Sequence, residues 1–104
     1  MRRFAFKMKL LPGFKDEYKK RHDNIWPDLK KLLSDTGITD YSIFFDQETN
    51  TLFAVQKISG DDDSQELGKK EIVKKWWAYM ADIMVTNPDN SPVSITLEEV
   101  FYMD

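Results

Sequence analysis

The spacing of hydrophobic residues along this chain changes from the period of a β-strand to that of an α-helix and back, which strongly restricts the possible folds. From Phe4 to Leu10, large apolar residues occupy every second position, as in a strand with one buried face. Apolar residues then recur at helical spacing from 14 to 33, which predicts a helical region. Pro27 lacks a backbone donor and disfavours helical geometry at the residue before it. We therefore expect a break between Asp23 and Trp26, with Pro27 opening a second segment that Gly37 closes.

The rest of the chain predicts two strands, a helix and a final strand. Residues 40–46 and 51–58 read as strands, and the short polar link between them favours an antiparallel hairpin. A helical region follows at about 65–84, weakened at its start by Gly68, and a last strand at 94–103. The resulting order, β-α-β-β-α-β, predicts an α+β, ferredoxin-like fold with helices on one face of a four-stranded antiparallel sheet. A length of 104 residues fits a single domain over the whole chain.

Large apolar side chains occupy both sets of alternating positions in the later strands. They are Ile43, Phe44, Phe45, Leu52, Phe53, Ala54, Val55, Val100, Phe101 and Tyr102. Two helices cover only one face of such a sheet, so the other face would expose apolar groups to water. We therefore expect a homodimer in which two sheets pack face to face, forming a dimeric barrel. The alternative is that some of these residues occupy edge or loop positions.

The composition excludes several classes of function. The chain has no cysteine and one histidine, so it lacks disulfides, zinc–thiolate sites and His-rich metal sites, and we expect no metal. A net charge of -3, with lysine-rich strips interrupted by acids, argues against a nucleic-acid partner. The scattered glycines form no phosphate-binding motif. No apolar run has the length of a membrane span or signal peptide, so we expect no membrane partner and a cytoplasmic location.

The single histidine, His22, is the first candidate for chemistry because an imidazole exchanges protons near neutral pH. Tyr18 lies four residues earlier and therefore on the same face of the predicted helix. Phe14 and Ile25 share that face, so both polar groups point toward the apolar side, where a cavity would supply their partners. The alternative is a histidine whose hydrogen bonds are simply satisfied in the core or at the surface.

Three further aromatic residues are candidates for binding. Trp76 and Trp77 point about 100° apart on a helix, so we expect one in the core and the other at an edge. One indole could pack on the C–H face of a sugar, or both could belong to the core. Tyr41 points inward from the second strand, and its hydroxyl needs a partner if it is buried. The polar loop 87–92 fits an ordinary turn before a strand.

Several motifs together resemble the L-rhamnose mutarotase family, over nearly the whole chain. They are the stretch from Tyr18 to His22 followed by Asn24-Ile25-Trp26-Pro27, the pair Trp76-Trp77 with Tyr79-Met80, the hexapeptide 87–92, and Glu99-Val100-Phe101-Tyr102. The resemblance implies a dimeric α/β barrel without metal or cofactor that interconverts the α and β anomers of L-rhamnopyranose in rhamnose catabolism. It also implies that His22 is the proton donor and that Tyr18, Tyr41, Trp76 and Trp77 contact the sugar.

The implied mechanism is general acid–base catalysis of ring opening and closure. We expect a protonated His22 to donate to the ring oxygen, with Tyr18 or Tyr41 holding or relaying the second proton. Gly68 and residues 61–64 depart from a tryptophan-containing segment of some family members. One alternative is a haem-binding protein or small monooxygenase of the same barrel architecture, in which a lone histidine ligates iron. Another is a ligand-binding module without catalytic activity.

Overall fold

The computed structural model of the chain describes residues 2–104, and Met1 lies outside the described part. The elements are β1 (Arg2–Lys9), α1 (Lys15–Asp23), α2 (Pro27–Thr36), β2 (Ile38–Asp46), β3 (Thr51–Ile58), α3 (Glu71–Met80) and β4 (Ser94–Leu97). Short 3-10 turns lie at Ser64–Glu66 and Ala81–Ile83. This order confirms the predicted alternation of strands and helices.

The strands form one four-stranded antiparallel sheet in the order β2-β3-β1-β4. In β3, Ala54 pairs with Phe6 of β1 and with Ile43 of β2. On the other side of β1, Lys7 pairs with Ile95 of β4. The β2–β3 hairpin confirms the antiparallel link, and the whole arrangement is the predicted α+β, ferredoxin-like one.

The hydrophobic core lies between the helices and one face of the sheet. Phe6 and Met8 of β1 and Leu52 of β3 are buried on that face. Leu29 of α2 and Val73 of α3 belong to the same buried cluster. The alternation seen in β1 and β3 therefore has its expected cause, since every second side chain points toward the helices.

Proline and glycine separate and end the first two helices as expected. The first helix ends at Asp23, and Pro27 occupies the first position of α2. Gly37 follows α2 with a φ of 97°, a left-handed conformation that favours glycine. A side chain there would also collide, because a Cβ at Gly37 would lie 2.8 Å from the backbone nitrogen of Gly60.

The predicted helix over 65–84 is wrong in extent, since only Glu71–Met80 is α-helical. A capping box explains the separate turn before it: the Asp63 carboxylate accepts a bond from the backbone N–H of Gln65 at 2.8 Å, and Glu66 bonds back to the Asp63 N–H. The short turn then ends, and Gly68 lies in the link that precedes α3.

The predicted last strand over 94–103 is also too long, because β4 stops at Leu97 opposite Ala5. Beyond Leu97 the chain contacts β1 through side chains and no longer through backbone pairing. Arg3 forms an ion pair with Glu99 at 3.0 Å, and its guanidinium lies 3.7 Å from the centre of the Tyr102 ring.

The face of the sheet away from the helices carries exposed apolar side chains. Phe44 pairs with Phe53, and Ala5 pairs with both Val55 and Leu97, so these residues point to the same side. Phe44 is 65% exposed and Ile95 is 57% exposed. The uncovered apolar face expected from the sequence is therefore present in the strands, whereas Val100, Phe101 and Tyr102, expected to belong to the last strand, lie beyond the end of β4. Within residues 2–104, no helix has the length and apolar character needed to cross a membrane.

Candidate active site

A cavity of about 890 Å³ lies between the helices and the covered face of the sheet. Tyr18 and His22 reach it from α1, Tyr41 from β2, and Trp76 and Trp77 from α3. All five candidate residues therefore line one space. Its volume lies in the range of pockets that bind small molecules.

His22 has one ring nitrogen committed to the protein. Its Nδ1 lies 3.1 Å from the Tyr18 backbone oxygen, and because a carbonyl only accepts, Nδ1 must carry a hydrogen. Any further proton is therefore taken or given by Nε2. The imidazole stacks on the Tyr18 ring with centres 4.2 Å apart and meets Trp76 edge-on at 5.4 Å. Burial lowers the pKa of His22, an effect opposed by the Tyr18 carbonyl and by the charge of Asp23.

The two tyrosine hydroxyls keep their protons. Burial raises the pKa of Tyr18 well above its usual value, and the neighbouring Tyr41 adds to the rise. Burial also raises the pKa of Tyr41, although hydrogen bonds from Ser64 and Gln56 oppose it. Both groups are therefore neutral hydroxyls over the physiological pH range, able to donate or relay a proton but poor as tyrosinate bases.

The two tryptophans differ in burial, as expected. Trp76 is 8% exposed and lies within an aromatic cluster, with ring centres 5.0 Å from Trp26 and 5.7 Å from Tyr79. Trp77 is only partly buried, and Gly68 lies against its six-membered ring. A Cβ at Gly68 would come within 2.7 Å of Trp77 Cζ3. Trp76 is thus fixed by the core, whereas the position of Trp77 depends on the segment before α3.

Two polar residues of the site were not among the sequence-based candidates. Gln56 of β3 is fully buried, and its side chain is hydrogen-bonded to Ser64, which lines the cavity. For Gln56 alone, a signal was present in the sequence. Gln56 occupies an alternate position of β3 that is otherwise apolar, between Ala54 and Ile58. A polar residue at such a position needs a buried partner.

Arg21 joins the helix that carries His22 to the end of α3. Its guanidinium donates to Asp82 at 2.8 and 3.2 Å, to the Tyr79 carbonyl at 2.9 Å and to Glu17 at 2.7 Å. The Arg21 hydrogen bond lowers the pKa of Asp82 and holds both groups in their charged forms. These bonds set the distance between the two helices that line the cavity.

The loop 87–92 is an internally bonded turn, as its composition predicts. Asn87 and Ser91 bond through their backbones at 2.8 Å and through their side chains at 3.0 Å. Pro92 lines the cavity. Among the side chains of residues 2–104, no cluster of three or more acidic or histidine groups is arranged to hold a metal ion.

Over its whole length, the chain is similar in sequence and structure to proteins that share a single functional name. A family model described as L-rhamnose mutarotase matches residues 3–103. An L-rhamnose mutarotase from Formosa agariphila is 67% identical over 104 residues, and one from Bacteroides thetaiotaomicron is 65% identical over the same length, with all of both chains covered in each case. A crystal structure of L-rhamnose mutarotase from Formosa agariphila superposes with a TM-score of 0.93 at 65% identity and covers 100% of both chains.

Proposed function

The chain belongs to the L-rhamnose mutarotase family, and we propose that the cavity between helices and sheet performs the family's reaction by proton transfer through His22. As a member of this family, the protein is an isomerase that interconverts the α and β anomers of L-rhamnose. The observation that carries the proposed site is the convergence of five candidate side chains on one cavity. The alternatives of a haem-binding protein or monooxygenase gain no support from these relatives.

The reaction requires two proton movements at the anomeric centre. As the ring oxygen gains a proton, its bond to the anomeric carbon breaks, and the anomeric hydroxyl loses its proton to become the aldehyde oxygen. Rotation about the adjacent carbon–carbon bond exposes the other face of the aldehyde. Ring closure then reverses both transfers, so no atom or electron is gained or lost. A positioned acid or base accelerates such a step by about 10²–10⁴-fold.

We assign the donor role to the His22 imidazolium. Because Nδ1 is bonded to the Tyr18 carbonyl, the transferable proton lies on Nε2. The lowered pKa makes this imidazolium a minority form at neutral pH and a stronger acid than an exposed one. The neutral hydroxyls of Tyr18 and Tyr41 would hold the sugar oxygens, and one of them would relay the proton of the anomeric hydroxyl.

The remaining lining fits a deoxysugar. L-Rhamnose carries a methyl group in place of a hydroxymethyl group, and apolar side chains such as Leu10, Ile43 and Met80 line the cavity. The indoles of Trp76 and Trp77 offer aromatic surface for the C–H face of the ring. These contacts support binding of the sugar by both aromatic and aliphatic surface.

Saturation-transfer NMR between the L-rhamnose anomers tests the proposed role of His22. We expect exchange above the buffer rate with the unaltered protein and loss of that excess with His22→Ala. Circular dichroism would establish that the variant is folded. Unchanged exchange in a folded His22→Ala protein would refute the donor role.

We further propose that the protein acts as a homodimer, a dimeric barrel with the exposed faces of two sheets in contact. The exposed apolar groups Phe44, Phe53 and Ile95 support this arrangement, since water-exposed patches of this kind are typical of association surfaces. A single mutarotase domain and a cytoplasmic location remain predictions from the sequence.

A further inference from the structure

A chain of three polar side chains leads from the core to the cavity. Gln56 Nε2 lies 2.9 Å from Ser64 Oγ, and Ser64 Oγ lies 3.5 Å from the hydroxyl of Tyr41. Ser64 and Tyr41 line the cavity, whereas Gln56 is completely buried behind them. The chain therefore connects a buried amide to a residue of the proposed sugar site.

The backbone determines the orientation of the Gln56 amide, from which the hydrogen-bond directions follow. The N–H of Ser64 donates to Gln56 Oε1 at 2.9 Å, and because an N–H only donates, the oxygen of the amide must face it. The amide nitrogen of Gln56 must then face Ser64 Oγ, to which it only donates. Ser64 Oγ also accepts from Gln65 Nε2 at 3.4 Å, so both of its lone pairs are occupied and its hydrogen is left for the Tyr41 oxygen.

The donor-to-acceptor direction from Gln56 through Ser64 also determines what the Tyr41 hydroxyl can do. Since the Tyr41 oxygen accepts from Ser64, the Tyr41 hydrogen is free for a partner other than Ser64. The hydrogen bonds from Ser64 and Gln56 oppose the rise in the pKa of Tyr41, as donors to its oxygen would. Gln56 thus makes the shorter of the two bonds that leave the Ser64 hydrogen for Tyr41, and its own orientation is set by the backbone.

We propose that Gln56 is a positioning residue that, through Ser64, fixes Tyr41 as a hydrogen-bond donor to an oxygen of the bound sugar. This inference rests on the proposed function, because it takes Tyr41 as a sugar contact. It deepens that function by stating what Tyr41 recognises, namely a sugar oxygen that offers a lone pair. A buried amide at this position is costly unless its bonds are satisfied, and Ser64 satisfies both ends, accepting from the amide nitrogen and donating to the amide oxygen.

The substitution Gln56→Glu tests the direction of the hydrogen bonds from Gln56 through Ser64 to Tyr41, because the two side chains have nearly the same shape. An ionised carboxylate accepts from both the N–H and the hydroxyl of Ser64, so the Ser64 hydrogen turns away from Tyr41. Because burial favours the protonated acid, which still donates to Ser64, the loss should grow as the pH is raised. We expect kcat/KM for L-rhamnose to fall about tenfold, the effect of losing one oriented hydrogen bond. Gln47→Glu, in the exposed turn between β2 and β3, is the control for the added charge and should leave kcat/KM unchanged.

A double-mutant cycle distinguishes positioning from a purely structural role. If Gln56 acts through Tyr41, Gln56→Glu should have no further effect in a Tyr41→Phe background. An equal loss in both backgrounds would overturn the proposal. If Gln56→Glu does not fold, Ser64→Ala takes its place in the cycle, with the same two expected results.

Neutron diffraction from deuterated crystals gives a readout that does not depend on activity. We expect deuterium on Ser64 Oγ directed at Tyr41, and deuterium on Tyr41 directed away from Ser64. The reverse orientation would overturn the inference even if the enzyme is active. A protein with the expected orientation but without anomer exchange would contradict the proposed function and leave the hydrogen-bond direction intact.

Discussion

At the scale of single residues, one contact decides what His22 is able to do. The Tyr18 carbonyl fixes the hydrogen on Nδ1, so the imidazole faces the cavity with a single exchangeable site. Burial then lowers its pKa relative to about 6.5 for an unperturbed histidine. A side chain four residues from a tyrosine could be placed on a common face from the sequence, but its tautomer could not.

The pH dependence of the rate follows from this lowered pKa. If the imidazolium is the donor, the active form accumulates as the pH falls toward and through the pKa of His22, which lies below its ordinary value. We expect the enzyme-dependent exchange rate to rise as the pH falls from about 8, to go on rising below about pH 6, and to level off only below the lowered pKa of His22. Saturation-transfer NMR with the buffer rate subtracted measures it. An exchange rate that falls as the pH is lowered would identify His22 as a base instead.

Gly68 matters for the site because it packs closely against the Trp77 indole. No strained backbone is involved, but a Cβ there would come within 2.9 Å of Trp77 Cη2 as well as of Cζ3. We expect Gly68→Ala to displace the indole and raise KM for L-rhamnose several-fold, with a smaller change in kcat. Lys69→Ala, at an exposed position in the same link, is the control. An unchanged KM in Gly68→Ala would contradict the expected displacement of Trp77 from the bound sugar.

At the scale of secondary-structure elements, the relative placement of α1 and α3 depends on Arg21. Its side chain is 10% exposed and bonds to the residues that end and follow α3, among them Asp82. We expect Arg21→Lys to reduce the free energy of unfolding by about 1–2 kcal/mol, because an ammonium group does not reproduce the planar fork.

Urea unfolding of Arg21→Lys, beside Lys19→Ala as a matched control, would measure this loss in the free energy of unfolding. Lys19 forms an ion pair with Asp23 on the same helix, but both side chains are largely exposed. Lys19→Ala should therefore change the free energy of unfolding by at most a few tenths of a kcal/mol. If the two variants are equally stable, the contacts of Arg21 do not hold the helices in place.

The elements also show where sequence patterns suffice. Pro27 and Gly37 act through their own backbones, so the helix break and the end of α2 were predictable from residue type. The start of α3 was not, because the separate turn before it depends on the carboxylates of Asp63 and Glu66 meeting backbone groups. The end of β4 depends on where its pairing with β1 stops, which is a property of the folded sheet.

The same distinction holds for the site. Tyr18 and His22 could be paired from their spacing, since both lie on one helix. Tyr41, Trp76 and Trp77 were selected as candidates by residue type and by resemblance to a family, and the structure places them on the same cavity. Ser64 could not be selected, because nothing in its local sequence reveals that Gln56 lies within hydrogen-bonding distance.

At the scale of the whole molecule, the uncovered face of the sheet sets the expected assembly. We expect analytical ultracentrifugation to give a dimer at micromolar concentration and Phe44→Lys to shift it to the monomer, because a charge would be buried between the sheets. Phe14→Lys, at the start of α1 in the helix layer, is the matched control and should remain dimeric. A monomeric unaltered protein would contradict the proposed interface.

The cavity and the exposed face lie on opposite sides of one sheet. Tyr41 and Ser64 line the cavity and Gln56 is buried behind them in the same chain, so pairing of the exposed faces would add no group to it. Each subunit would then work independently of its neighbour. Saturation by the sugar would be hyperbolic, and a population of mixed dimers would lose turnover in simple proportion to the fraction of inactivated subunits.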